Sequence, residues 1–129
     1  MNISEVKNLF SNEFGNISQR FEVIRLKIGD AMISTDAMAN RPGVYLFWHP
    51  KYHVVMVGKH QTNSKKRALD HIRDNTKNDI VELAALKNDP ELDLFLFNVA
   101  SNNDKHWVLA LEAFLEWNVK PIIKAHRMG

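Results

Sequence analysis

Two runs rich in β-branched and aromatic residues, Val44 to Trp48 and His53 to Val57, are separated only by His49-Pro50-Lys51-Tyr52. Such residues suit a pleated, half-buried surface, and so short a link between two of them reads as a hairpin turn. Arg41-Pro42-Gly43 stands directly before the first run, where proline fixes φ and withholds an N–H, so the hairpin has a defined start. Every other element has to be fitted around that pair of strands.

Upstream, Ile3, Val6, Leu9, Phe10 and Phe14 recur at helical spacing, which predicts a helix ending near Gly15. Phe21 to Ile28 is an apolar-rich extended segment, stopped by the turn signal Gly29-Asp30. Met32 to Asn40 is ambiguous in pattern and has room for a short helix. Downstream, Thr62 or Asn63 caps a helix running to about Asp74, with Ala68, Leu69 and Ile72 on its buried side. A second helix is expected over Asp79 to Leu86, and Leu92 to Ala100 reads as another strand. Asn103 or Asp104 then caps a helix whose Trp107, Val108, Leu111, Phe114 and Leu115 form a continuous apolar stripe, closed by Pro121. This order predicts a mixed α+β fold with a small, mostly antiparallel sheet. At 129 residues the chain suits a single domain, with an N-terminal extension at 1–40 and a core at 41–124.

Composition removes several function classes. There are no cysteines, so disulfide staples, thiolate zinc sites and cysteine nucleophiles are excluded together. No His-Glu-x-x-His spacing and no glycine-rich phosphate loop occurs, which disfavours a zinc hydrolase and a nucleoside triphosphatase. Apolar runs such as Leu92 to Ala100 are too short to span a bilayer, and Met1 to Phe10 carries Glu5 and Lys7 where a signal peptide needs an apolar core. A cytoplasmic setting without a membrane partner is the expectation. The net charge of +2 is small, so partners must be read from where the charges lie.

Three places hold residues able to do chemistry. Gly43-Val44-Tyr45 is followed, one hairpin later, by Met56-Val57-Gly58-Lys59. Arg67 and His71 are spaced so that a helix stacks them on one face, within a stretch where Lys59, Lys65, Lys66, Arg67, Arg73 and Lys77 gather positive charge diluted by Asp70 and Asp74. Glu112 falls at the edge of the last helix's apolar stripe, where a carboxylate loses water unless a divalent cation or an arginine pairs with it. Taken singly, Tyr45 reads sooner as a core or edge-strand aromatic and Arg67 with His71 sooner as a solvated basic face, while Glu112 reads as well as a rim glutamate paired with a lysine.

Taken in order, from Pro42 to Pro121, they resemble the GIY-YIG nucleases, a family that includes nuclease domains of excision-repair enzymes and some homing and restriction endonucleases. The resemblance implies a three-stranded antiparallel sheet flanked by helices, and one divalent ion, Mg²⁺ or Mn²⁺, bound by a single glutamate. By motif, Tyr45 is similar to the first signature tyrosine, Arg67 to the phosphate-contacting arginine, His71 to the His or Tyr one helical turn later, and Glu112 to the metal ligand. These four are the implied catalytic residues. Lys59, His60, Lys65 and Lys66 are the implied substrate-binding group. The implied activity is a metal-dependent endonuclease hydrolysing phosphodiester bonds in DNA; the alternative is a catalytically inactive nucleic-acid-binding module of the same fold. Two positions depart from the pattern. Met56 stands where the second signature carries tyrosine, and Lys124 where asparagine is usual.

Overall fold

The computed structural model describes residues 1–124. Helix α1 (Ile3–Phe14) leads through a 3₁₀ turn, Gly15–Arg20, into strand β1 (Phe21–Leu26) and short helix α2 (Ile28–Ile33). The hairpin follows as β2 (Gly43–His49) and β3 (His53–His60), then helix α3 (Ser64–Arg73), strand β4 (Asp93–Val99) and helix α4 (Lys105–Val119). The strands form one sheet in the order β1-β4-β2-β3 with every neighbour antiparallel, so the class is α+β.

The sheet has four strands, not the three expected. The extended segment at Phe21 extends it as an edge strand, pairing from Phe21 opposite Val99 to Leu26 opposite Leu94. Edge position explains its mixed composition, because Glu22 and Arg25 face solvent where a central strand needs apolar groups. Its lower end is tied to Asp93, whose buried carboxylate takes 2.7 Å and 2.5 Å ion pairs from Arg25 and Lys27.

Two more expectations are corrected. Gly29-Asp30 lies inside α2 instead of making a turn. The helix expected over Asp79 to Leu86 shrinks to a 3₁₀ turn at Leu83–Leu86. Asparagine side chains take the backbone donors that a helix would need there: Asn78 Oδ1 accepts from the N–H of Ile80 and Val81, and Asn75 Oδ1 from that of Ala84.

Alternation along β2 sends side chains to two cores. Tyr45 and Phe47 join Leu94, Leu96, Ala68, Ile72 and Leu83 under α3. Val44 and Leu46 join Phe95 and Phe97 under α1 and α4. The second core contains an aromatic cluster in which the Phe10 ring centroid lies 5.2 Å from Phe97 and 5.7 Å from Phe21. Truncating a buried Phe of this kind costs about 3–5 kcal/mol, so α1 and β1 are strongly held to the sheet. Beyond α4 the chain runs along the free side of β3, with Ile122 and Ile123 N–H groups donating to Val54 and Val55 carbonyls. Among the described residues no helix is long and apolar enough to cross a membrane.

Candidate active site

Tyr45 sits opposite Gly58 in the hairpin register. A Cβ on Gly58 would run into the Tyr45 hydroxyl and ring, so the missing side chain leaves the phenol room to lie across β3. Burial pushes the Tyr45 pKa above its ordinary value, and the negative charge of Glu112 adds to the rise while Arg67 opposes it. The phenol is protonated at neutral pH. It is a hydrogen-bond donor and not a phenolate.

The turn from β3 into α3 is built by polar side chains. His60 Nδ1 accepts from the N–H groups of Thr62 and Asn63, and Asn63 Oδ1 caps the helix by accepting from Lys66 N–H at 3.0 Å. The Ser64 hydroxyl donates to Oδ1 of Asn98, a fully buried amide on β4 whose Nδ2 donates to the Met38 and Ala39 carbonyls. Lys65 is buried, and its ammonium donates to the Ser34 carbonyl at 2.7 Å. The start of α3 is thus fixed at several points, which sets the direction of Arg67 in the first turn and of His71 one turn beyond it.

His71 lies with its ring centroid 5.6 Å from that of Tyr45, and its Nδ1 is 2.7 Å from Thr76 Oγ1. Burial holds its pKa below the usual 6.5, helped by the Arg67 charge and opposed by Asp70 and Asp74, so the imidazole is neutral at pH 7. Glu112, buried on α4, comes from the helix that packs chiefly against β3.

These groups meet. Tyr45, Lys59, Arg67, His71 and Glu112 all line one cleft of about 740 Å³ beside β3, together with Met56 and Lys124. His60, Lys65 and Lys66 do not line it: His60 and Lys65 serve the α3 start, and Lys66 is exposed. Sequence reasoning missed Thr76 and Asn78 as lining residues and counted Lys77 only as part of a basic stretch. Asn78 Nδ2 donates to the Ile122 carbonyl at 2.8 Å, which ties the chain after α4 into the cleft wall. The available signal was the polar run Asn75 to Asn78, whose turn chemistry is visible but whose destination is not.

Lining charges are unequal: Lys59, Arg67, Lys77 and Lys124 stand against Glu112. Such a site attracts an anion with room for one cation. Among the described residues no group of three or more His, Asp or Glu side chains could chelate a metal. A single carboxylate, Glu112, fits Mg²⁺ in its usual mode, which keeps several waters and adds substrate phosphate oxygens to one or two carboxylates. Comparison with protein-family models, with curated proteins and with solved structures finds no match to this chain.

Proposed function

We propose that this chain is a metal-dependent endonuclease that hydrolyses phosphodiester bonds in nucleic acid, DNA being the expected substrate. The observation that carries this reading is the meeting of a carboxylate, a guanidinium, a phenol and a neutral imidazole in one cleft whose remaining charges are all basic. The planar guanidinium fork of Arg67 grips two non-bridging phosphate oxygens. Lys59, Lys77 and Lys124 neutralise the neighbouring phosphates.

The attacking water is oriented by the hydrogen bond that protonated Tyr45 donates. Met56 offers no useful proton acceptor, so proton removal falls to His71. In the tautomer whose Nδ1–H donates to Thr76 Oγ1, 2.7 Å away, the Nε2 lone pair takes the proton as the water oxygen bonds to phosphorus. The bond from phosphorus to the leaving oxygen breaks, and that oxygen is protonated from solvent. Glu112 would hold a Mg²⁺ or Mn²⁺ ion, which when bound would stabilise negative charge growing on the phosphoryl oxygens.

A second reading, a nucleic-acid-binding module without turnover, is favoured by one observation: the Met56 thioether lines the cleft where the resembling family has a tyrosine. Supercoiled plasmid with Mg²⁺ or Mn²⁺ separates the two. Nicking by the wild type that drops by about 10²-fold or more in Glu112→Ala is expected. Equal nicking by both proteins contradicts hydrolysis at this site, and salt-sensitive binding with no nicking by either supports the module.

A further inference from the structure

Next to the cleft lies a second concavity of about 800 Å³, bordered by Ala113, Glu116, Trp117, Lys120, Pro121 and Lys124. Lys124 borders both. Trp117 is 82% exposed, more than any other large apolar side chain described. Its exposure follows from the helix period: Leu109, Ala113 and Trp117 recur every fourth residue along the outer side of α4, while Val108, Leu111, Leu115 and Val119 take the core side. Among the described residues nothing covers the indole, although an indole buries a large apolar area when it finds a partner.

We propose that Trp117 is a stacking platform for an unpaired base of the nucleic acid whose phosphate occupies the cleft, with Lys120 and Lys124 holding the backbone between. The inference rests on the nucleic-acid reading of the cleft and adds a substrate class to it. An exposed aromatic face beside cations is the arrangement that holds single strands, because every base has a π-face and every linkage a charge. Two lysines outweigh Glu116 on this rim, and Lys124 lines both this concavity and the cleft. Bases inside a duplex are already stacked on one another. Only a nucleotide without a partner, at a flap, gap or end, can lay its face on Trp117. The scissile bond would then lie next to a single-stranded segment.

The test compares wild type, Trp117→Ala, Trp117→Phe and Arg67→Ala for affinity to a labelled single-stranded oligonucleotide and to its blunt duplex, without divalent metal. Trp117→Ala is expected to weaken single-strand binding by about 10-fold while changing duplex affinity by less than about 2-fold, and Trp117→Phe to retain most of it. Quenching of indole emission by the single strand should be present in wild type and much reduced in Trp117→Phe. Single-strand affinity unchanged in Trp117→Ala but lost in Arg67→Ala overturns the platform and spares the cleft. Affinity indifferent to Arg67→Ala overturns the cleft reading and the platform with it. Should light scattering show a dimer that Trp117→Ala converts to monomer, the indole meets a second copy of the chain, and the proposal fails.

Discussion

Gly58 and Tyr45 face each other so closely that any side chain at position 58 must displace the phenol. Gly58→Ala is therefore expected to shift the Tyr45 hydroxyl out of the cleft and slow cleavage by about 10²-fold, since a misplacement near 1 Å costs that much. The check is a rate measured beside a thermal melt, and a full rate in the variant contradicts a positioning role for Tyr45. His71 makes a second prediction, of known sign. Its pKa is held below 6.5, so the neutral form that accepts a proton persists as pH falls to about that value and is lost only below it. An NMR titration of the imidazole should give a midpoint below 6.5 in wild type and a higher one in Arg67→Ala, where a lowering charge has gone. A wild-type midpoint at or above 6.5 contradicts the assignment. Tyr45, Arg67, His71 and Glu112 could be picked out in the sequence only because their order along the chain resembles that of the GIY-YIG nucleases, since each taken singly has an ordinary structural reading. Thr76 and Asn78 could not, because their place in the cleft depends on a turn through Asn75, which has a left-handed φ of 51°.

Among the elements, β1 is extended as its apolar-rich run predicts, but its place in the sheet was not legible. Most of its side chains are exposed or half exposed and its apolar and charged residues do not alternate cleanly, so pairing with β4 fixes its register. The expected helix over Asp79 to Leu86 fails for the converse reason: a local pattern loses to asparagine side chains that satisfy the backbone differently. What holds the end of β1 is asymmetric. Asp93 is buried while Arg25 and Lys27 remain about half exposed. Asp93→Ala leaves two cations that water can solvate and is expected to cost about 1 kcal/mol. The double change Arg25→Ala and Lys27→Ala leaves a carboxylate buried alone and should cost about 2–3 kcal/mol, somewhat under the figure for a fully buried pair. Denaturant unfolding of both variants measures the difference, and equal losses contradict it.

At the scale of the whole molecule, a four-stranded sheet divides two apolar cores, and the cleft lies beside β3, where the α3 side, the α4 side and the chain after α4 come together. Distant stretches supply the site because the hairpin carries Tyr45 and Lys59, α3 carries Arg67 and His71, and α4 carries Glu112. The central claim is that these groups act on one phosphodiester. Single-turnover cleavage of an end-labelled oligonucleotide with Mg²⁺ by wild type, Glu112→Ala and Arg67→Ala, each alongside its binding affinity, tests it most directly. Loss of about 10²-fold or more in rate for both variants, with Glu112→Ala still binding within about 2-fold of wild type, is the expected result. Wild-type rates in either variant contradict it.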